Sequence, residues 1–596
     1  MSTKLISGAQ ALAYILKKES VEYVFAYPGT SELAICDAVL NTEGLTLING
    51  RGDKESAFMA AGGSLLKHTK SVALLHGARG LTNAAGAIAD ANRNEVGTVF
   101  FVGLPSSSSA KFLPPHGEEQ LISSIGNFAK CFDEITDIPE KHEASQTLEI
   151  KAREYIRKIQ IAIQQSRSLP IGPTILGIPQ DISEQEWIPM HLLENYKVSA
   201  KQISAVNESS LQKAIQLIQA QENIVIFLDD ALYRNPIAKE ALATFAKSVG
   251  APIFQVFYGR GPMLFEKSTT KQNPLYVGTY QPNNPMHKKI MTEAQLLITL
   301  EDRNMYERVV GELPKCPKIA ITSNSKMTQK NMYLQDGDIL LVGDVVVHMQ
   351  SLSKELTKVV DHDALLSRCE SIRKEGPQKL TVDSKYDFMR NTIVEELARH
   401  FENDKKPILI DDSQMFGGLI NEGYEYLPAK LRVFGDHGAF IGGGLPLATG
   451  LARCERDSSI YNTLGDQSFT NSIQGLVSAV QENAHITYIV CNNGKSVSLF
   501  KQILSQNSQA FDTGKNKFLF NAPYNYADLA KSLGLTVFSV IFDPDSADED
   551  KRNPQETFRD VLAKCRTIDG PVLIELKLPS DPEAWEGIWT TKGNEK

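Results

Sequence analysis

Paired cysteines, long apolar runs and an excess of basic residues are all missing from this chain. Its seven cysteines are scattered from Cys36 to Cys565 with no C-x-x-C spacing. That excludes a disulfide frame and a cysteine-rich zinc site, and predicts reduced, packed thiols in a cytoplasmic protein. The longest apolar stretches, such as 224–228 and 486–491, have the length of strands. A membrane span needs about 20 apolar residues, so no membrane partner is expected. The opening Met-Ser-Thr-Lys carries no basic segment running into an apolar one, so no secretion signal is expected either. Lys and Arg number 62 against 71 Asp and Glu, a formal charge of −9. With no basic stripe to offset that balance, a nucleic-acid partner is not expected.

What is present is an ordinary globular composition, 42% hydrophobic and 22% charged, over 596 residues. That length is too great for one core. Short β-rich runs alternate with helical patterns, which predicts the α/β class with parallel sheets covered by helices on both faces. Strands are expected at 23–27, 45–48, 71–75, 98–102 and 174–177, then at 224–228, 253–256, 296–300 and 318–322. A last group is expected at 408–410, 460–463, 486–491, 536–540 and 572–576. The charged stretch 361–387 reads as an exposed connection. Three doubly wound parallel-sheet domains result, at 1–190, 191–365 and 366–596. Ligands in such sheets sit beyond the carboxyl ends of strands, so the loops there hold the candidates.

The strongest constellation is Gly465-Asp466-Gln467-Ser468 followed by Asn492-Asn493-Gly494. Asp466 ends one expected strand and Asn492-Asn493 the next, so one strand–helix–strand unit delivers a carboxylate and an amide to the same sheet edge. Magnesium favours an octahedron of oxygens and is usually held by one or two protein oxygens plus phosphate. Backbone N–H groups where the next helix starts can cradle the phosphate.

These motifs resemble those of the thiamine-diphosphate enzymes of the pyruvate decarboxylase, acetolactate synthase and benzoylformate decarboxylase type. Their signature is Gly-Asp-Gly, some two dozen residues, then Asn-Asn. The resemblance implies thiamine diphosphate and Mg2+ as cofactors, with Asp466, Asn493 and the carbonyl of Lys495 as metal ligands. Gln467 replaces the glycine that normally runs close to the diphosphate, and Ser468 follows it. Ala439-Phe440-Ile441-Gly442-Gly443-Gly444 resembles the family loop that bends the cofactor. Ile441 would wedge between its rings, and the carbonyl of Ala439 would hold its amine. Gln414 stands where relatives contact the diphosphate.

The amino-terminal segment resembles the other half of the site. Tyr27-Pro28-Gly29-Thr30-Ser31-Glu32-Leu33 matches the Pro-Gly turn, which places Pro28 and Gly29 beside the cofactor. The family's activating glutamate hydrogen-bonds the pyrimidine, and burial raises its pKa so that it can share a proton. Asp53, nine residues before Gly62, has the register of that acid; Glu55 has the residue type. Both stand as candidates. His76, seven before Asn83, falls where benzoylformate decarboxylase-like enzymes carry a catalytic histidine. His116 lies in a loop that reaches substrate in relatives, with Glu118 a weaker candidate beside it. Trp585 and Trp589 sit in a carboxyl-terminal tail expected to form a lid. In the middle segment, Leu228-Asp229-Asp230 replaces a glycine-rich turn, which argues against FAD.

The resemblance spans nearly the whole chain in the order pyrimidine-binding, central, diphosphate-binding. It implies decarboxylation of a small 2-oxo acid, with release of an aldehyde or ligation to a second carbonyl. Two other classes stay open, a non-decarboxylating carbon–carbon lyase or hydrolase and a catalytically degenerate binding or regulatory protein. Relatives place each cofactor between the first domain of one subunit and the third of another, which implies a homodimer or homotetramer.

Overall fold

The computed structural model describes residues 4–106, 121–136, 139, 145–198, 206–235, 237–256, 264–265, 267–375, 385–435, 440–505, 519, 524–545 and 553–588. Three α/β domains follow one another, each built on a parallel sheet. In the first sheet the spatial order is Thr46–Asn49, Tyr23–Ala26, Ser71–His76, Val99–Leu104, Thr174–Pro179, Cys131–Glu134. The third repeats that order with Arg432–Gly435, Pro407–Asp412, Ser459–Gly465, Ile486–Asn492, Val572–Lys577 and Thr536–Ile541. The central segment lends it one antiparallel edge strand, Leu264–Phe265. The central sheet runs Tyr276–Thr279, Ile253–Val256, Ile224–Asp229, Leu296–Leu300, Lys318–Thr322, Ile339–Val342.

The sequence makes these sheets two-sided. Side chains alternate faces along a strand, yet in Pro407–Asp412 both Ile408 and Ile410 on one face and Leu409 on the other are buried. The two sets belong to different cores. The first sheet divides in the same way: Phe25, Ala73, Leu75, Phe100 and Val102 lie on one face, and Val24, Ala26, Val72, Leu74 and Phe101 on the other. Near-continuous apolar strands are what a parallel sheet covered on both faces requires.

One of these cores belongs to two domains at once, uniting Phe25 and Leu75 of the first sheet with Ile410 and Val490 of the third. The join is a helix pair, Asp53–Gly63 against Gly444–Cys454. Two glycines set its closeness. A methyl on Gly62 would lie 1.9 Å from the carbonyl oxygen of Leu447, and one on Gly450 would lie 2.1 Å from that of Met59. The central domain keeps a separate core. It is tied to the first domain by buried Glu95, which pairs with Arg303 and accepts from Asn324 Nδ2 at 2.7 Å.

The stretch 361–387 departs from expectation. Its first part is a helix, His362–Lys374, capped by Asp361. Leu365, Cys369 and Ile372 turn one face into the central core. The i, i+4, i+7 apolar spacing was concealed by the surrounding charges. We therefore propose that the central domain runs through this helix and does not end at 365. The first domain's ends meet where strand Leu5–Ser7 pairs with Glu186–Pro189, which supports a boundary near 190. All seven cysteines are free thiols, five of them buried. Among the described residues, no helix is long and apolar enough to cross a membrane.

The helix pair gives a direct test. Gly450→Ala should lower stability by about 1–3 kcal/mol, because the close backbone approach leaves no room for a methyl. Thermal unfolding followed by circular dichroism measures it, and an unchanged midpoint would contradict the close crossing.

Candidate active site

In the first and third sheets the chain begins one strand in, steps outward, then returns to the far side of its starting strand. That reversal is a topological switch point, where loops from neighbouring strands leave in opposite directions and open a crevice. In the third sheet it lies between Pro407–Asp412 and Ser459–Gly465, and a cleft of about 480 Å³ opens there. Gln414, Ile441, Asp466, Gln467, Ser468, Asn493 and Lys495 all line it. Seven residues chosen from sequence, spread over more than eighty positions, thus surround one space.

Local structure explains how each arrives. Asp466 opens a short helix directly after its strand. Its Oδ1 accepts the Gln467 N–H at 2.8 Å and its Oδ2 the Gly494 N–H at 3.0 Å. The carboxylate therefore ties the two strand ends together. Asn493 Oδ1 accepts the Lys495 N–H at 3.3 Å. Asn492 turns away to Glu575 at 2.8 Å. Gln467 does not occupy a left-handed backbone position, so it strains nothing where relatives carry glycine. Gln414 does, with φ of 50°, a conformation costing a non-glycine residue about 1–3 kcal/mol. Its Oε1 accepts from Ser498 Oγ at 3.0 Å.

Asp412, which the sequence reasoning passed over, organises this cleft from beneath. Its Oδ2 accepts the N–H groups of Gly442 (2.8 Å) and Gly444 (3.2 Å), and its Oδ1 accepts Ser468 Oγ at 3.0 Å. One buried side chain thus ties the loop bearing Ile441 to the turn bearing Asp466. Burial pushes its carboxyl up to about 8. Ile441 stays 41% exposed in the cleft wall, while Phe440, 39% exposed, packs edge-on against Phe58 of the first domain. Trp585 is 1% exposed, lines the cleft and donates its indole N–H to Pro579 O at 2.9 Å. The packing around an indole needs a hydrogen-bond partner, and the preceding turn supplies one. Ala439, His116, Glu118 and Trp589 lie outside the described residues.

The first sheet's switch point, between Tyr23–Ala26 and Ser71–His76, carries a second cluster. His76 ends its strand and is half-buried. Its Nδ1 lies 2.9 and 3.1 Å from the two carboxylate oxygens of Glu32. Its backbone N–H donates to Asp53 Oδ1 at 3.0 Å. Burial raises the Asp53 carboxyl above its ordinary value, against that hydrogen bond. The hydrogen bond to Glu32 raises the His76 imidazole. Glu55 is also buried but turns elsewhere: its Oε1 sits 3.1 Å from Lys54 Nζ, whose ammonium donates to Asn471 O at 2.8 Å. Gly29 gives its N–H to Glu32 Oε1 at 2.6 Å. None of Pro28, Gly29, Glu32, Asp53, Glu55 or His76 lines the cleft of the third domain.

Residues 6–127, which hold Glu32, Asp53 and His76, match the family model described as thiamine pyrophosphate enzyme, N-terminal TPP binding domain. Residues 425–576, which hold Ile441, Asp466 and Asn493, match the corresponding C-terminal TPP binding domain. The chain belongs to the thiamine-diphosphate-dependent enzyme superfamily. It is similar to the acetolactate synthase large subunit of Lactococcus lactis, 22% identical over 581 residues, covering 96% of this chain and 92% of that protein. Acetolactate synthase isozyme 1 large subunit of Escherichia coli is 22% identical, with 98% of this chain and 96% of that protein covered. Among solved structures, the fold is shared with a thiamine diphosphate-dependent 4-hydroxybenzoylformate decarboxylase of Rhodococcus jostii. That match has a TM-score of 0.73 and 18% identity, covering 97% of this chain and 100% of that one. Benzoylformate decarboxylase from Polynucleobacter necessarius matches with a TM-score of 0.72 and 17% identity, covering 97% and 99%.

The donors in the third-domain cleft would suit a diphosphate and its cation. Asp466, Asn493 and a backbone carbonyl are hard oxygen donors of the kind magnesium prefers. Among the described residues, no group of three or more His, Cys, Asp or Glu could hold a metal ion, so mixed oxygen ligation is what this cleft offers. Gly494, with φ of 64°, has nothing within 4 Å of a would-be Cβ, which leaves the turn between the strand ends open.

Asp412 yields a pair of variants. Burial raises its carboxyl, and Asp412→Asn is a near-isostere that keeps one acceptor oxygen for the two amides. Asp412→Ala strips an acceptor from two amides and a hydroxyl and should cost about 2–4 kcal/mol. Denaturant unfolding at pH 7 should rank wild type, Asn and Ala in that order, with Asn near wild type. Equal losses for Asn and Ala would contradict the arrangement.

Proposed function

We propose that this protein is a thiamine-diphosphate- and Mg2+-dependent decarboxylase or carboligase acting on a small 2-oxo acid. The observation that carries the proposal is the convergence of Gln414, Ile441, Asp466, Gln467, Ser468, Asn493 and Lys495 on one cleft at the third sheet's switch point. Asp466, Asn493 and the Lys495 carbonyl would hold the cation, and Gln414, Gln467 and Ser468 would flank the diphosphate. Ile441 would press against the cofactor from the cleft wall. When bound, thiamine diphosphate supplies a nucleophilic thiazolium carbon and an electron sink for loss of carbon dioxide.

The chain's own acids and bases do the rest. We assign the activating carboxyl to Asp53, because burial raises it above its ordinary value, the direction that sharing a proton with a pyrimidine nitrogen requires. It also adjoins His76, which would carry protons to and from the reacting oxygen or carbon. Glu55 is buried beside Lys54, and its Oε1 has no hydrogen-bond partner among the described residues.

The resemblance places the cofactor between two subunits, so we infer a homodimer or homotetramer with sites at the subunit interface, in which the exposed Ile441 is a surface such a partner would cover. In the central sheet, the switch-point crevice is filled by Asp229, which accepts the Asn304 backbone N–H at 2.8 Å. With no glycine-rich turn there, we take this domain to carry no flavin. The free cysteines support a cytoplasmic setting.

Calorimetry of the cofactor with Mg2+, and carbon dioxide release from a panel of 2-oxo acids, test the proposal. Asp466→Ala should abolish cofactor binding; unchanged affinity would remove the site. Carbon–carbon cleavage without carbon dioxide would favour a lyase of another class, and no cofactor uptake by the wild type would favour a degenerate relative. Asp53→Asn should slow turnover by at least about 100-fold, the usual scale of a lost acid or base, and Glu55→Gln far less. The opposite ranking would transfer the activating role to Glu55.

A further inference from the structure

We propose that Glu32 is the positioning residue for His76: its buried carboxylate orients the imidazole, keeps a proton on Nδ1 and leaves Nε2 as the nitrogen that titrates. The bearing of this on catalysis rests on the role of His76 given above, but the pairing itself does not.

Three observations carry it. The first is burial without a permanent cation. Glu32 is 0% exposed, and among the described residues its ion-pair partner is His76, with no lysine or arginine pairing to it. A carboxylate taken out of water needs hydrogen bonds and positive charge to persist. Gly29 N–H supplies one hydrogen bond at 2.6 Å and Ser31 Oγ another; among the described residues, the ion-pair partner that can bring positive charge to it is the imidazole.

The second is geometry. Nδ1 lies within hydrogen-bond distance of both carboxylate oxygens, at 2.9 and 3.1 Å. Whether the ring is neutral or charged, the proton on that nitrogen is the one held by the carboxylate, and exchange falls to Nε2.

The third is that neighbouring glycines clear the space. A methyl on Gly29 would lie 2.2 Å from His76 Cε1, and one on Gly103 would lie 2.5 Å from Glu32 Oε2. A methyl on Gly80 would lie 2.4 Å from Asp53 Oδ1. Gly29 follows Tyr23–Ala26, Gly103 lies near the end of Val99–Leu104, and Gly80 sits in the helix after His76. Three separate elements thus give up side chains around Glu32, His76 and Asp53. Ser31 Oγ, 2.9 Å from the Gly103 carbonyl, anchors the same wall. The Pro-Gly turn read from sequence as a cofactor contact therefore has a second use: its glycine is the floor on which the imidazole lies.

The charged groups that act on His76 are Glu32, Asp53 and Arg79, the first two raising its pKa and the third lowering it. The net displacement is upward from 6.5. A histidine raised in the folded state adds stability fully present below the unfolded value and lost as pH rises through the folded one. A purely structural Glu32, capping the turn through Gly29, would not set the imidazole's titration.

NMR titration of histidine-labelled protein without cofactor reads the pairing directly, with His76→Asn identifying the resonance. The wild-type His76 should titrate above 6.5. Glu32→Gln should lower it by about one pH unit or more, the usual effect of removing an adjacent opposite charge. Glu32→Asp, which keeps the charge on a shorter arm, should fall between. Identical titrations in wild type and in whichever of these variants folds would overturn the proposal. Loss of all 2-oxo acid turnover in the wild type would refute the function proposed above while leaving this comparison intact.

Discussion

Parallel hydrogen bonding between neighbouring strands is the constraint on which everything else in this molecule depends. Because each domain's own strands run one way in its sheet, their carboxyl-terminal loops leave by the same edge. The strand order 2-1-3 at the start of the first and third sheets then parts the loops on either side of the starting strand. Glu32 and His76 emerge from one such parting, Gln414 and Asp466 from the other. The same fold unit, used twice, builds an acid–imidazole cluster in one place and a cleft of oxygen donors in the other. The glycine-mediated crossing of Asp53–Gly63 on Gly444–Cys454 locks the two units into a shared core.

Buried carboxyl groups give each unit its character. Glu32, Asp53, Asp412 and Asp466 are each under 10% exposed, and each accepts backbone N–H groups at a strand end or helix start. In water such groups would be ordinary acids. Here desolvation raises Asp53 and Asp412, while Glu32 draws its compensation from an imidazole that is itself raised in consequence. The protein therefore keeps an acid and an imidazole raised above their ordinary values at the first switch point and a hydrogen-bonded tether at the second.

The sequence was most legible where spacing and chemistry agreed. Asp466 and Asn493 stand at the ends of adjacent apolar runs, so both the strands and their shared edge could be read directly. Ile441 and Gln414 were found only through resemblance, since a glycine-rich loop and a lone glutamine carry no periodic signal. Glu32 and Asp412 were missed because inward-turned and outward-turned acids look alike in sequence; what distinguishes them is the glycine or amide waiting opposite, from elements as distant as Gly103 and Gly442. Short strands such as Cys131–Glu134 and Arg432–Gly435 were too brief for pattern to reveal. The helix His362–Lys374 was hidden by its own charged face. That Trp585 is buried was not legible, because proximity to the terminus says nothing of burial.

The account stands or falls on a hard cation seated between Asp466 and Asn493. Crystals grown with thiamine diphosphate and Mn2+ in place of Mg2+ would locate it by anomalous scattering. The expected result is one peak in the cleft, about 2.0–2.2 Å from oxygens of Asp466, Asn493 and the Lys495 backbone, with diphosphate density beside it. A peak elsewhere, or a cleft without one at saturating cofactor, would contradict the central claim.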